Sequence, residues 1–220
     1  MSIASAVITA AGSSSRMGQG LKKEYRTLWK VPVLAKTIKV FQAIKTLKIV
    51  IVTVPQGHLT VVRNLLKPHI NIEQLHIIQG GKTRQESVFK GLMALVPNNP
   101  DYVLIHDGAR PWISSEFVTR ILEYTIQYQA CIPLVEVPDA LKEIDNKARI
   151  IKHINKKWIK GAQTPQGFSF PRILKAHKKA QKSKKIYVDD AEVYSLLYKN
   201  IHTICGIEKN RKITYIHDLK

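Results

Sequence analysis

The chain has 220 residues, of which 45% are hydrophobic and 23% charged, and 35 Lys and Arg against 16 Asp and Glu give a formal net charge of +19. This composition excludes an intrinsically disordered chain, and the length predicts a single domain over residues 1–220. The charge indicates a polyanionic partner, which nucleic acid, a membrane surface or phosphorylated metabolites could each be. The N-terminal apolar run is too short to span a membrane and no basic segment precedes it, so we expect a cytoplasmic protein with no membrane partner.

Short β-branched runs bounded by Gly, Pro or Asp predict strands. They cover residues 3–9, 49–54, 75–78, 102–106 and 130–135. Segments with apolar residues at helical spacing lie between them, and Ser114 is a typical N-cap for one of these helices. Strands that alternate with helices pair in parallel through right-handed crossovers. The sequence therefore predicts an α/β fold of three α/β/α layers with a mostly parallel sheet.

The pattern changes after Val137, where polar and apolar residues alternate and a turn signal follows at "DN". This is typical of a β-hairpin that cannot bury both of its faces on the main sheet. We expect residues 137–160 to form a protruding dimerisation arm in a homodimer. A hairpin folded back on its own domain is the alternative.

Beyond the arm, the sequence predicts two helices and two brief strands, at 202–205 and 212–214. The lysine-rich run 175–185 is more typical of a solvated helix face than of a nucleic-acid patch. Cys131 and Cys205 occur in apolar, strand-like contexts, which predicts reduced thiols in the core.

The segment "AAGSSSRMGQGLKKEY", residues 10–25, follows the first predicted strand. It matches neither G-x-G-x-x-G nor G-x-x-x-x-G-K-[ST], which argues against a dinucleotide site and a P-loop. Its small residues still let successive backbone N–H groups form a nest for an anion. Arg16 and Lys23 would add charge for phosphate oxygens, although an ordinary loop remains the alternative.

In "VLIHDGARPW", Asp107 leaves the end of a predicted buried strand. A carboxylate in that place is a natural ligand for Mg²⁺, with nucleotide phosphates completing the oxygen shell. The alternative is an acid that caps a helix or a turn. We interpret His106 as strand packing rather than as a catalytic group.

Two further loops follow predicted strands. In "GGKTRQESV", residues 80–88, the paired glycines permit positive φ and close backbone approach before a helix. An ordinary strand-to-helix turn is the alternative. The segment "GAQTPQGF", residues 161–168, predicts a rigid polar loop.

Together with "DDAE" and "NRKIT", these segments resemble the 2-C-methyl-D-erythritol 4-phosphate cytidylyltransferases of the non-mevalonate isoprenoid pathway, in order and spacing, over nearly the whole chain. The resemblance implies a Rossmann-like nucleotidyltransferase domain that dimerises through its arm and uses Mg²⁺. It implies transfer of the cytidylyl group of CTP to 2-C-methyl-D-erythritol 4-phosphate, which gives 4-diphosphocytidyl-2-C-methyl-D-erythritol and pyrophosphate.

The resemblance also implies roles for individual residues. The resemblance implies that Arg16, Lys23 and Lys212 are catalytic residues that neutralise charge on the phosphate groups. The CTP-binding residues are Ala10, Ala11, Gly12, Ser13, Gly81, Ser87 and Asp107, and Asp107 also holds the metal. The acceptor-binding residues are Asp107, Arg110, Asp139, Lys156, Asp189 and Lys212.

Two other functions stay open. The arm has Ala140 where many members of the family have Thr, and Lys156 where Arg is common, which leaves the acceptor open. A ribitol-5-phosphate cytidylyltransferase, which shares the opening loop, "HD-small-xRP" and "TPQ", is the first alternative, although Ala140 weakens both assignments. The second is a nucleic-acid-binding protein on the same fold, suggested by the net charge of +19. No RNA-binding motif and no basic surface with interleaved aromatic residues supports it, so we do not expect nucleic acid as the partner.

Overall fold

A computed structural model of the chain describes residues 3–12, 21–73, 75–183 and 185–219. The strands are β1 (Ala4–Thr9), β2 (Thr27–Leu28), β3 (Val31–Pro32), β4 (Leu47–Val54), β5 (Leu75–Gln79), β6 (Tyr102–Asp107), β7 (Ala130–Glu136), β8 (Lys142–Ile144), β9 (Ile150–His153), β10 (Lys160–Ala162), β11 (Gln166–Ser169) and β12 (His202–Cys205). The α-helices are α1 (Val33–Gln42), α2 (Leu59–Leu66), α3 (Arg84–Leu95), α4 (Ser115–Tyr128), α5 (Phe170–Ala180) and α6 (Asp190–Tyr194).

Most of the strands form one mixed sheet with the spatial order β12–β7–β11–β6–β1–β4–β5, and β10 also pairs with β7. Strand β11 is antiparallel to both of its neighbours, and β10 is antiparallel to β7. The other pairs in this sheet are parallel. The mostly parallel sheet expected from the sequence is confirmed, with an antiparallel strand in its interior that the sequence did not reveal.

Helices cover both faces of the sheet. Successive side chains of a strand point to opposite faces, so each strand of this sheet contributes to two cores. In β1, Ile8 packs with residues of α1, α2 and α4, whereas Val7 packs with residues of α3, α5 and α6. Both side chains are fully buried. The three-layer α/β/α architecture is therefore confirmed.

The predicted strand at 212–214 is absent. Ile213 donates a backbone hydrogen bond to the carbonyl of Ala109 at 2.9 Å, but the N–H of Thr214 donates to the Asp218 carboxylate at 2.8 Å. This side-chain acceptor turns the backbone away from any neighbouring strand.

The two cysteines differ in burial. Cys131 lies in the interior strand β7 and is buried, as expected, but Cys205 is exposed. The expectation for Cys205 was wrong because β12 is an edge strand whose alternate residues face solvent. Both thiols are free.

Within residues 137–160, strands β8 and β9 pair with each other as an antiparallel hairpin outside the main sheet. All seven of their residues are exposed. The apolar side chains of Ile144, Ile150 and Ile151 are 58%, 55% and 59% exposed. The predicted hairpin is therefore present and does not bury these side chains on its own domain. That it packs on a second copy stays a prediction.

The lysine-rich run extends along the outer side of α5. Ile173, Ala176 and Ala180 of this helix are buried, whereas Lys175 and Lys178 are exposed. This is the solvated helix face expected from the sequence. No helix in the described part of the chain has the length and apolar character needed to span a bilayer.

Candidate functional site

The candidate site lies at the carboxyl ends of β1 and β6. Thr9, the last residue of β1, is in register with Asp107, the last residue of β6. From β1 the chain moves outward to β4 and β5 on one side and then returns to β6 on the other. In open α/β sheets, ligands bind in the crevice where strand order reverses in this way. The loops that follow β1 and β6 are therefore placed for binding.

Three cationic side chains surround the carboxylate of Asp107. Nε of Arg84 lies 3.0 Å from Oδ1, Nζ of Lys212 lies 2.9 Å from Oδ2, and Nε of Arg110 lies 3.5 Å from Oδ2. The structure thus brings together Asp107, Arg110 and Lys212, which the sequence placed at the site. The carboxylate is a shared counter-ion for these cations rather than a helix cap.

Arg84 connects this carboxylate to a second one. Its Nη1 donates to Oδ2 of Asp190 at 2.7 Å, and Asp190 is buried at the start of α6. The motifs in the sequence do not single out either residue as part of the site. The available signals were a cation shortly after paired glycines and an acidic doublet in "DDAE". The sequence cannot show which acid of such a doublet points inward.

Burial and neighbouring charges act in opposite directions on the two carboxyl groups. Burial by itself raises the pKa of Asp107, but the charges of Arg84, Lys212 and Arg110 outweigh it and hold the pKa well below its usual range. Burial likewise raises the pKa of Asp190, and the charge of Arg84 brings it below the usual value. Both carboxylates are ionised at neutral pH. Among the described residues, three cations and two carboxylates form the cluster, so it carries an excess of positive charge, which suits a phosphate ligand.

The other acid of the doublet, Asp189, has a structural role. Its Oδ1 accepts from the N–H of Glu192 at 2.9 Å, and its Oδ2 accepts from Nε2 of Gln166 at 2.8 Å. Asp189 is therefore the N-cap of α6, a position that favours aspartate. The acid that joins the Asp107 cluster is Asp190, and the expected contact of Asp189 with the acceptor hydroxyl groups stays a prediction.

The segment 161–168, which the sequence predicts as a loop, contains the last two residues of β10 and the first three of β11, so only residues 163–165 form a loop. This loop supports the cluster beside β6. Oγ1 of Thr164 accepts from the N–H of Asp107 at 3.1 Å. Nδ2 of Asn210 donates to the carbonyl of Thr164 at 2.8 Å, and Nη1 of Arg110 donates to the carbonyl of Asn210 at 2.7 Å. The sequence predicted only a rigid polar loop here. The structure shows that this loop links β6 to the C-terminal segment.

His106 is fully buried beside Asp107. Nδ1 lies 2.9 Å from Oγ1 of Thr164 and Nε2 lies 3.2 Å from the carbonyl of Arg110. Burial lowers the pKa of His106 to about 4. The imidazole is therefore neutral at physiological pH and orients Thr164, in agreement with our interpretation of this residue as packing.

The glycines after β5 bring two loops close together. A Cβ added at Gly80 would lie 2.7 Å from Cβ of Ala11, so a side chain there would displace the loop after β1. The N–H of Gly81 donates to Oγ of Ser87 at 3.0 Å. Positive φ, which we considered at both glycines, occurs at neither. The close approach of the two loops therefore explains why residue 80 is a glycine. Nucleotide binding by Gly81 and Ser87 stays a prediction.

The loop after β1 is described as far as Gly12. Ala10 is fully buried, and its N–H donates to the carbonyl of Thr53 at 2.8 Å. This bond extends the β1–β4 ladder, so the N–H of Ala10 does not belong to the anion-binding nest that we expected. The carbonyl of Gly12 accepts from Nζ of Lys22 at 2.7 Å.

Lys23 lies in the turn before β2 and is 8% exposed. Solvent screens a charge this deeply buried less than it screens a surface charge. Ser13 and Arg16 lie outside the described residues, so their expected roles stay predictions.

The arm residues expected to bind the acceptor, Asp139 and Lys156, are both exposed. Nζ of Lys156 donates to the carbonyl of Pro138, which places it next to Asp139. Within residues 3–12, 21–73, 75–183 and 185–219, no hydrogen bond or ion pair joins either residue to Asp107 of the same copy. Their role in acceptor binding stays a prediction.

The carboxylate that could bind a magnesium ion at this site is that of Asp107. Across the described stretches of the chain, no three His, Cys, Asp or Glu side chains form a group that could hold a metal. Mg²⁺ is commonly bound through one or two carboxylates while substrate phosphates complete its shell. Both oxygens of Asp107 already contact cations. Each carboxylate oxygen has a second lone pair, so the residues fit only a magnesium ion that is held mainly by triphosphate oxygens and shares one oxygen of Asp107. They do not fit a metal site made by the protein alone.

The chain matches one protein family along most of its length. The family model described as "IspD: 2-C-methyl-D-erythritol 4-phosphate cytidylyltransferase" covers residues 4–220. A 2-C-methyl-D-erythritol 4-phosphate cytidylyltransferase from Bacillus mycoides is 32% identical over 213 residues, which are 97% of this chain and 93% of the relative. A bifunctional enzyme IspD/IspF from Bartonella henselae is 39% identical over 227 residues, which are 100% of this chain and 55% of that relative. The chain thus spans about half of the bifunctional protein.

Solved structures agree with these matches. The crystal structure of 4-diphosphocytidyl-2C-methyl-D-erythritol synthase from Anaerococcus prevotii has a TM-score of 0.83 at 26% identity, with 99% of this chain and 93% of that chain covered. The structure of 2-C-methyl-D-erythritol 4-phosphate cytidylyltransferase from Thermus thermophilus has a TM-score of 0.79 at 28% identity, with 100% of this chain and 96% of that chain covered.

Proposed function

The chain belongs to the 2-C-methyl-D-erythritol 4-phosphate cytidylyltransferase family, and from this premise we propose that it transfers the cytidylyl group of CTP to 2-C-methyl-D-erythritol 4-phosphate. The products are 4-diphosphocytidyl-2-C-methyl-D-erythritol and pyrophosphate, in isoprenoid precursor biosynthesis. The observation that carries the proposal is the convergence of Arg84, Arg110 and Lys212 on Asp107 at the reversal of strand order. Excess positive charge lies there, where two phosphate-bearing substrates have to meet.

In the proposed reaction, an oxygen of the acceptor phosphate attacks the α-phosphorus of CTP. A P–O bond forms to the acceptor, and the bond from the α-phosphorus to the oxygen that bridges it to the β-phosphate breaks. Pyrophosphate leaves with that electron pair. Phosphoryl transfer of this kind needs positioning and charge stabilisation rather than a protein nucleophile. The main task of the side chains is therefore to bring two anions together.

Lys212 and Arg110 are the described cations that we place on the reacting phosphates. Asp107 fixes Nζ of Lys212 at 2.9 Å, while the Lys212 side chain remains 34% exposed and open to a ligand. The Arg110 side chain is 12% exposed and points at the same carboxylate. We propose that Lys23 and Arg16 clamp the triphosphate and neutralise charge on the leaving pyrophosphate.

For the nucleoside, we propose backbone groups of Ala11 and Gly12 together with Gly81 and Ser87. These loops meet at the carboxyl edge of the sheet, where Gly80 allows close approach to Ala11. We propose that Asp107 gives one oxygen to Mg²⁺ carried by the triphosphate. When bound, the ion would neutralise phosphate charge and orient the α-phosphoryl group.

The proposal is tested with purified protein, CTP, Mg²⁺ and either 2-C-methyl-D-erythritol 4-phosphate or D-ribitol 5-phosphate, while pyrophosphate release is followed. We expect faster turnover of the methylerythritol phosphate and loss of turnover when Mg²⁺ is omitted. Faster turnover of ribitol phosphate would contradict the acceptor. Absence of turnover together with binding of single- or double-stranded nucleic acid at physiological salt would support the nucleic-acid alternative.

We further propose a homodimer in which the arm supplies Asp139 and Lys156 to the site of the partner copy. The support is the exposure of three isoleucines on a hairpin outside the main sheet. We expect Ile151→Asp to convert a dimer into a monomer and to lower turnover by at least about tenfold, because a charge at the centre of an apolar interface opposes association. Light scattering coupled to size-exclusion chromatography gives the mass.

The matched control for the arm is Val61→Asp, which places the same charge on an exposed apolar position of α2. Val61 is 56% exposed and Ile151 is 59% exposed. The control variant should keep both the mass and the turnover of the parent chain. A parent chain that elutes as an active monomer would contradict the dimer.

We also propose a cytoplasmic location for the enzyme. Its thiols, Cys131 and Cys205, are both free, which fits a reducing compartment. CTP and sugar phosphates are charged metabolites that do not cross membranes unaided, so an enzyme that uses both is best placed with them.

A further inference from the structure

A series of three contacts runs from the helical layer into the site. Nε2 of His177, on α5, lies 3.1 Å from Oδ1 of Asp190 on α6. Oδ2 of Asp190 accepts from Nη1 of Arg84, on α3, at 2.7 Å. Nε of Arg84 then donates to Oδ1 of Asp107 at the end of β6, at 3.0 Å. The four side chains come from four different elements, so no local turn accounts for their alignment.

The far end of this series is closed to water. The side chain of His177 is 0% exposed and that of Asp190 is 1% exposed. An ionised carboxylate is costly to bury unless it is both paired and hydrogen-bonded, and an apolar contact often joins two elements at least as stably. Apolar residues such as Ile173 of α5 and Tyr194 of α6 already supply that packing. Packing alone therefore does not explain why an acid occupies this position.

The shape of the Arg84 side chain explains what the buried acid can do. A guanidinium group is planar and its N–H directions are fixed relative to one another. When Asp190 holds Nη1, the direction of Nε is therefore fixed as well, toward Oδ1 of Asp107. This leaves Oδ2 of Asp107 for Lys212, at 2.9 Å. A guanidinium released from Asp190 could bind both oxygens of Asp107 and displace Lys212, because arginine pairs readily with both oxygens of a carboxylate.

We infer that Asp190 and His177 are positioning residues of the active site: His177 holds Asp190, and Asp190 orients Arg84, so that Asp107 presents one oxygen to Lys212. Nδ1 of His177 has no hydrogen-bond partner among the described residues. The polar contact of this ring is therefore the one between Nε2 and Oδ1 of Asp190. The inference rests on the proposed function, because the orientation of Lys212 matters for turnover if Lys212 acts on phosphate.

A double-mutant cycle tests the step from Asp190 to Arg84. Asp190→Asn keeps the shape of the side chain and removes its charge, and we expect it to lower kcat about 30-fold while KM for CTP changes less than about threefold, because misplacement of reacting groups by 1 Å costs about 100-fold. In an Arg84→Gln background, the same change should lower kcat no more than about twofold. Losses that multiply in the double variant would mean that Asp190 acts independently of Arg84, and they would overturn the inference.

The step from His177 to Asp190 is tested by rescue. His177→Gln keeps a side-chain N–H for the carboxylate, whereas His177→Leu fills the space without a donor. We expect the Gln variant to retain kcat within about threefold and the Leu variant to lose about tenfold. Equal losses in the two variants would contradict a positioning role. All rates are measured at a temperature at which circular dichroism shows each variant folded.

The control for both experiments is Asp101→Asn. Asp101 precedes β6 at the opposite edge of the sheet, where its Oδ2 accepts from the N–H of Ile3 at 2.7 Å. The same chemical change there should leave kcat at the value of the parent chain.

A crystal structure of Asp190→Asn separates this inference from the proposed function. If the parent chain turns over neither polyol phosphate, the proposed function fails, but the geometry can still be examined. A displacement of the Arg84 guanidinium by more than about 1 Å, with loss of its Nε contact to Asp107, supports the inference. An Arg84 side chain that stays in place would overturn it.

Discussion

Asp107→Asn is expected to lower kcat for cytidylyl transfer by about 1,000-fold or more, since correct positioning and oriented charge each contribute about 100-fold in such sites. The asparagine keeps the shape of the side chain but leaves Arg84, Arg110 and Lys212 without their shared counter-ion. These cations then repel one another and lose the geometry that the carboxylate imposes. Initial rates of pyrophosphate release at saturating substrates measure the loss.

The same substitution should also change the pH dependence of stability. The pKa of Asp107 is depressed in the folded state, so its stabilising contribution is present above the unfolded value of about 4 and is lost as the pH falls through the folded value. We expect Asp107→Asn to reduce the free energy of unfolding by about 3 kcal/mol at pH 7. This value is at the low end of the range for the removal of one partner from a buried ion pair. The difference from the parent chain should shrink below about pH 4.

Urea unfolding at several pH values measures this difference, with Asp101→Asn as the control. Asp101 is exposed, so its variant should follow the parent chain at neutral pH. An Asp107→Asn variant that keeps more than about a tenth of the parent turnover would contradict the central place of this carboxylate in the mechanism.

Lys212→Ala is expected to lower kcat about 100- to 1,000-fold, in the range seen when one group that stabilises developing charge is removed. Asp107 holds the ammonium group while the Lys212 side chain remains 34% exposed, so we expect it to contact phosphate without a prior rearrangement. Lys212→Arg should recover part of the loss, because it restores the charge but not the shape of the ammonium group. The same pyrophosphate assay applies.

Lys48→Ala is the matched control for Lys212. Lys48 is an exposed lysine near the amino end of β4, at the edge of the sheet opposite to the site. Its removal subtracts the same charge from the protein and should leave kcat unchanged. Comparable losses in the two variants would mean that net charge, rather than the position of Lys212, drives the rate.

Much of the fold follows from local patterns. Residues 59–66 and 84–95 form helices between predicted strands, as apolar periodicity indicated, and Ser114 caps α4 by accepting from the N–H of Phe117. Strand β11 was not predicted because its four residues, "QGFS", show no alternation. Its position between β6 and β7 depends on partners distant in sequence.

Local patterns also predict part of the candidate site. Asp107 and Arg110 follow a buried strand, and the carboxyl ends of parallel strands meet at one edge, so their presence at the site could be inferred. Arg84 lies in "GGKTRQESV" and Asp190 lies in "DDAE", but their contact spans 106 positions in sequence. A pattern within one segment carries no information about such a pairing.

By itself, the sequence determined the alternation of strands and helices, the arm, the loops that carry the site, and the resemblance to a cytidylyltransferase family. These depend on local periodicity and on residues close together in the chain. The tertiary structure alone decided that Asp190 rather than Asp189 faces inward, that Asp107 serves three cations, and that Ala10 extends a strand. Each of these outcomes depends on which distant groups share one small, poorly hydrated volume, where an unpaired charge or N–H group is costly.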